Sequence, residues 1–281
     1  MKQLIKKASI ATISLLIANL ANAVPITSDL TITGTITFDS DPLSGSSSAV
    51  GNASQTATMK SLLGGTLSTS SVDNLTVTGT NPHGGQLIDI NDGIGLIASV
   101  SSDGIGEVPI FVFDYDFGMS NASLTEDYTI SFAINYDTSV DSSADTEDAF
   151  IDNRVNLYNP AEFFFSELKS DTSDSLGGNE KNGVSTGNLG GVETESGLFS
   201  FDIMLLAGQT TNFTGEVKLD GQVFDQLGMM NGFNDSFIYL SGVTGSSPLP
   251  PPPPPTDVPT PSTPVLLLMG MVFLMTRRIR S

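Results

Sequence analysis

Leu30, Ile32, Ile36 and Phe38 alternate with Thr31, Thr33, Thr35 and Thr37, which sets an apolar row on one side of an extended segment and a threonine row on the other. The same period of two recurs along the chain. Phe111, Phe113, Tyr115 and Phe117 share a side opposite Asp114 and Asp116, and Tyr128, Ile130, Phe132, Ile134 and Tyr136 oppose Thr129, Ser131 and Asn135. Shorter runs at Leu75 to Val77, Leu87 to Ile90, Leu96 to Val100, Phe199 to Leu205, Phe213 to Leu219 and Phe237 to Leu240 predict further strands, separated by spacers rich in Gly, Ser, Asn and Asp. Helical candidates are confined to Gln55 to Leu63 and Pro160 to Leu168, and the second, with Phe163, Phe164 and Phe165 in a row, fits a buried strand equally well. Asp-Gly-Ile-Gly occurs twice, at 92–95 and 103–106; two copies predict the two ends of a hairpin rather than a solenoid, which needs three or more units. The pattern therefore predicts an all-β fold: one antiparallel β-sandwich or jelly-roll-like domain over residues 24–247, with Phe111, Phe113, Phe132, Ile134, Phe201 and Ile203 in its core.

The two ends break this pattern. At the N-terminus Lys2, Lys6 and Lys7 precede an apolar stretch from Ile10 to Leu20, and Ala21-Asn22-Ala23 places small residues at both positions that determine cleavage. Residues 1–23 are predicted to be a signal peptide, cleaved between Ala23 and Val24. At the other end Pro248 to Asp257, with an unbroken Pro250 to Pro255, predicts a polyproline II linker. An apolar run from Val265 to Met275 follows, then Arg277, Arg278 and Arg280. At 1.5 Å per residue the run covers about half of the roughly 30 Å hydrocarbon core, a marginal span suited to transient anchoring, with a transmembrane helix over 264–276. The arginines hold the tail in the cytoplasm by the positive-inside rule.

Val258-Pro259-Thr260-Pro261-Ser262-Thr263, the apolar run and the basic tail together resemble the C-terminal sorting signal of PEP-CTERM proteins, with Thr260 where the usual pattern has Glu. The resemblance covers residues 258–281 and implies an exosortase-type processing enzyme as partner. It also implies transient residence in the inner membrane and delivery to the cell surface or extracellular matrix of a Gram-negative bacterium.

Charge narrows the partners. The six basic residues at the ends leave Lys60, Arg154, Lys169, Lys181 and Lys218 against nearly all of the 31 acidic residues. A body of about −25 repels phosphate backbones and anionic lipid, so nucleic acid is excluded as a partner. With no cysteine and one histidine, thiol chemistry and the usual zinc sites are excluded, and stability must come from the core. His83, in Asn81-Pro82-His83-Gly84-Gly85, is expected in an exposed turn.

Asp137, Asp141, Asp145, Glu147, Asp148 and Asp152 concentrate carboxylates within sixteen residues. Hard cations take six to eight oxygens, so this segment reads either as a Ca²⁺ site or as a solvated acidic loop; the spacing matches no EF-hand. Gly183-Val184-Ser185-Thr186-Gly187 fits the Gly-x-Ser-x-Gly nucleophile elbow in letters, but it lacks the preceding apolar strand and following helix, and His83 is the sole candidate base. Asn52, Asn74, Asn121, Asn212 and Asn234 each open an Asn-x-Ser/Thr triplet and are expected at turns and strand edges. The chain has no Trp, and three of its tyrosines, Tyr115, Tyr128 and Tyr136, fall in core-like rows, which weighs against sugar processing.

These observations predict no catalytic residues and no obligatory cofactor. The expected role is that of a non-catalytic surface or matrix protein. Two alternatives stand beside it: a Ca²⁺-dependent module binding exopolysaccharide through residues 137–152, and an exported hydrolase working with a carboxylate pair.

Overall fold

The computed structural model describes residues 26–41, 45–145, 147–158, 163–173 and 177–246. The chain divides into two compact units, Met1–Ser247 and Pro248–Ser281, and all described residues belong to the first. The segments predicted to be a signal peptide, a proline linker, a sorting motif and a transmembrane helix lie outside the described residues.

Period-two patterning is realised as two antiparallel sheets. The first contains β1 (Leu30–Phe38), β2 (Val50–Gly51), β6 (His83–Leu87), β8 (Gly106–Asn121), β10 (Ala149–Tyr158), β11 (Phe163–Asp171), β12 (Glu180–Lys181), β13 (Val184–Ser185) and β15 (Thr210–Val223). Its order is β13-β12-β11-β10-β15-β8-β1-β6, with β2 also on β8. The second contains β3 (Ser54–Leu63), β4 (Thr66–Asp73), β5 (Thr76–Thr78), β7 (Gly93–Asp103), β9 (Asp127–Ser143), β14 (Gly191–Leu205) and β16 (Met229–Ser246), in the order β14-β9-β16-β7-β3-β4-β5. Among the described residues no helix forms, so none is long and apolar enough to cross a membrane.

The apolar rows of the two sheets meet. Phe117 and Phe213 stack within the first sheet, centroids 4.5 Å apart and planes 8° from parallel, and both press edge-on against Phe132 of the second, at 5.5 and 5.0 Å. Phe201 closes the cluster from β14, 5.2 Å from Phe213. Phe111, Phe113, Phe132, Ile134, Phe201 and Ile203 are all buried, as their alternation predicts. Each buried ring removes enough apolar surface to contribute about 1.5–3 kcal/mol, which lets the domain hold without disulfides. Gly34 interrupts the apolar row of β1 for a steric reason: a Cβ there would sit 2.9 Å from the Phe117 ring.

Two expectations are corrected and one open alternative is decided. Gln55 to Leu63 is strand β3, because Gln55, Ala57, Met59 and Ser61 turn inward while Thr56, Thr58 and Lys60 turn outward, a two-residue period hidden by the mixed polarity of the inward set. The second helical candidate is strand from Phe163 onward, in β11, paired along its length with β10. The two Asp-Gly-Ile-Gly copies flank a single strand: they sit at the two ends of β7, which pairs with β3 and β16, whereas the chain beyond the second copy enters the other sheet as β8.

Candidate functional site

His83 is buried, contrary to the turn expected around it. The turn ends at Pro82, and β6 begins at His83 itself, on the same inward side as Leu87. Its ring enters a cage of hydroxyls from the edge of the other sheet. Nδ1 lies 2.9 Å from both Ser70 Oγ and Thr80 Oγ1, and Nε2 lies 3.2 Å from Ser61 Oγ and 3.2 Å from the Ser68 carbonyl oxygen. A carbonyl only accepts, so this network assigns the proton to Nε2 and leaves Nδ1 to accept from a hydroxyl. Ser70 and Ser61 are as buried as the ring, so the arrangement joins sheet edges and offers no path to a substrate.

Ser185 does not meet this histidine. It lies on β13, at one edge of the nine-stranded sheet, while His83 occupies the opposite edge strand. Val184 and Ser185 form a two-residue strand in an exposed hairpin, with no helix after it.

The acidic segment is likewise dispersed. Asp137 and Asp141 belong to β9 in the seven-stranded sheet, Asp152 belongs to β10 in the other sheet, and Asp145, Glu147 and Asp148 lie in the connection between them. The backbone N–H groups of Asp145 and Glu147 donate to the Asp225 carboxylate, at 3.1 and 3.3 Å. Among the described residues no three carboxylate or imidazole groups gather closely enough to hold a metal ion.

The asparagines divide into two sets. Asn52 and Asn74 are in turns, as expected, whereas Asn212 faces outward on β15, between β10 and β8. Asn121 and Asn234 are buried, which corrects the expectation for them: Asn121 donates to the Glu126, Leu205 and Leu206 carbonyls, and Asn234 is part of a polar chain between the sheets. In that chain Tyr115 Oη meets Ser236 Oγ at 3.0 Å, Ser236 donates to Asn234 at 2.9 Å, Asn234 donates to Asn153 at 2.9 Å, and Asn153 donates to the Phe233 carbonyl at 2.6 Å. Burial pushes the Tyr115 phenol far above its usual range, so it remains a donor.

With Gly232, Asn234, Ser236, Ile238 and Leu240 turned inward, β16 must turn Phe233, Asp235, Phe237 and Tyr239 outward. These four half-buried side chains run along the middle of the exposed face of the seven-stranded sheet. The neighbouring strand makes room for the rings. Gly95 lies opposite Phe237 and Gly93 opposite Tyr239, and a Cβ on either would come within 2.6 Å of the Phe237 ring or 2.7 Å of the Tyr239 Cβ. Phe237 and Tyr239 lie with centroids 6.2 Å apart and planes 23° from parallel, so their faces point the same way.

Polar groups flank the rings in register. On β9, Ser139 lies opposite Phe233, Asp137 opposite Asp235 and Asn135 opposite Phe237. On the other flank Ser99 faces Phe233, and beyond β7 the β3 residues Thr56, Thr58 and Lys60 continue the rows. Lys60 Nζ is 2.5 Å from Asp235 Oδ1 and 5.8 Å from the Phe237 centroid. Burial and the neighbouring Asp235 raise the Asp137 carboxyl above the ordinary range. Phe233 to Tyr239 spans about 20 Å at strand spacing. The signal for this strip is present in the sequence: Ile238 and Leu240 fix which parity is inward, and the aromatic residues fall on the other.

A second carboxylate pair lies on the outer face of the nine-stranded sheet, where Asp152 and Asp220 are cross-strand neighbours. Burial, then Asp220, push Asp152 up to about 7 although Arg154 lies 3.1 Å away. In both pairs the carboxylates lie side by side on adjacent strands of one face, rather than across a cleft from one another.

No family model matches the chain, and no curated protein matches it. Among solved structures, the chain is aligned to the infectious bursal disease virus VP2 subviral particle at 10% identity, over 88% of this chain and 72% of that one, with a TM-score of 0.16. A structure of the infectious bursal disease virus Gx strain aligns at 9% identity over 76% and 62%, with a TM-score of 0.12. At these scores neither likeness carries an argument about fold or function.

Proposed function

We propose that the protein is an exported, non-catalytic surface or matrix component: a β-sandwich body of jelly-roll kind, held at the inner membrane by its C-terminal segment and then sorted by an exosortase-type enzyme. The observation that carries the binding half of this reading is the open outer face of the seven-stranded sheet, where rings and polar groups alternate in register across four strands. The sealing of His83 within its hydroxyl cage and the separation of Ser185 from it favour binding over hydrolysis. The export half rests on Ala21-Asn22-Ala23, on Val258 to Thr263 and on the three terminal arginines.

Fractionation and intact-mass measurement of the protein from cells with and without the exosortase test the sorting. The expected species begins at Val24 and, only where the enzyme is present, lacks the segment from Val265 onward. An identical full-length membrane species in both strains overturns sorting, and retention of Lys2 to Ala23 overturns signal cleavage.

A further inference from the structure

We infer that the strip Phe233–Phe237–Tyr239 on β16 is a binding site for an uncharged, extended polysaccharide, recognised without calcium. This deepens the binding role proposed above and rests on it.

A pyranose ring presents C–H groups on its faces and hydroxyls around its edge. A surface that binds it needs flat apolar rings flanked at the same level by hydrogen-bonding groups. The β16 strip has this composition at Phe233 and Phe237, while Tyr239, between Ala133 and Gly93, brings its own phenol hydroxyl. Phe237 and Tyr239 lie with planes 23° from parallel, the Phe237 ring packed against Gly95 and Tyr239 opposite Gly93. Asn135, Asp137 and Ser139 lie on one side, and Ser99, Thr58 and Lys60 on the other. Asp137 has no cation of its own across the strand, because Lys60 is paired with Asp235, so its carboxylate remains an acceptor for sugar hydroxyls.

The same features argue against other occupants. A protein interface or a lipid surface favours a continuous apolar centre, yet here the Asp137–Asp235 row divides Phe233 from Phe237. Anionic polymers are repelled by the two carboxylates and by the strongly acidic body. A strip about 20 Å long suits a chain of sugars rather than a single one.

The experiment is affinity electrophoresis and equilibrium binding of the full chain, purified in mild detergent, with hydroxyethylcellulose as neutral probe and alginate as anionic probe, each with Ca²⁺ or with EGTA. Retardation by hydroxyethylcellulose is expected in both buffers, and none by alginate. Phe237→Ala/Tyr239→Ala should weaken binding about tenfold or more. Phe237→Tyr/Tyr239→Phe, which keeps both rings, should bind like the parent and guards against a folding defect in the alanine variant. Absence of retardation of the parent by the neutral probe, or equal retardation of the parent and of a folded alanine variant, overturns the site. Binding abolished by EGTA overturns it in favour of the acidic segment, and equal retention by alginate overturns the charge argument. None of these outcomes touches the exosortase experiment, so failure of the site and failure of the sorting reading are separable.

Discussion

The outer faces of the two sheets obey the same alternation but satisfy it differently. On the nine-stranded sheet Asp152, Arg154, Glu167, Lys218 and Asp220 form a ladder in which each cation touches at least one carboxylate: Arg154 bonds both Asp152 and Glu167, and Lys218 lies 3.2 Å from Asp220. On the seven-stranded sheet one pair, Lys60–Asp235, stands among rings and hydroxyls. Cations held in this way are not available to a partner. Rings left half-exposed, above glycines that accommodate them, retain unspent contact surface. The contrast separates a face dominated by charge from one dominated by half-buried rings.

The largest effect should come from comparing rings on opposite sides of the second sheet. Phe132→Ala should destabilise by about 3–5 kcal/mol, since its inward ring touches Phe117, Phe201 and Phe213. Phe237→Ala, outward, should cost about 1 kcal/mol. Denaturant melts of the two variants check this; equal losses would erase the distinction between structural and available rings. Next, Asn234→Ala, on the inward side of β16, removes one hydrogen-bond partner each from Asn153 and Ser236 and should cost about 2–3 kcal/mol. A loss below that of Phe237→Ala would mean that the polar chain does not pin β16.

A smaller and opposite effect is expected on the charged ladder. The folded-state pKa of Asp152 is raised to about 7 and that of Asp114, through burial, Asp39 and Glu216, to about 6, both above the ordinary carboxyl value. Between that value and these the folded protein binds more protons than the unfolded chain. Stability from the two groups is therefore fully present in acid and is lost as pH rises toward 7. Asp152→Asn should raise stability at pH 8 by about 1–2 kcal/mol and flatten the pH dependence, as followed by melts from pH 4 to 8. A steeper dependence in the variant would reverse the sign assigned here. The smallest change belongs to Lys60→Met, expected to cost under about 1 kcal/mol because its ion pair is part-exposed. A several-fold larger loss would place Lys60 within the framework of the face rather than on its surface.

The architecture was legible wherever large apolar residues alternate with polar ones, as in β1, β8 and β9. It was illegible in β3 and β4, where Gln55, Ser61 and Ser70 take inward positions and serine rows look alike on both sides. The candidate face was half legible. Phe237 to Leu240 announces a strand, but only its partners reveal that Gly93 and Gly95 lie opposite the rings, because register between distant strands is a tertiary fact. The acidic segment was illegible for a related reason: Asp141 and Asp152 are close in sequence, whereas the chain changes sheets between them.

The hydroxyl cage has a practical consequence of its own. Because His83 is the single histidine of the chain, its ring protons give a nuclear magnetic resonance line that needs no assignment. Strands β3, β4 and β6 must part before water or an acylating reagent reaches that ring. The rate at which diethyl pyrocarbonate modifies the native protein is therefore a clock for the opening that exposes this corner of the domain, read without labels.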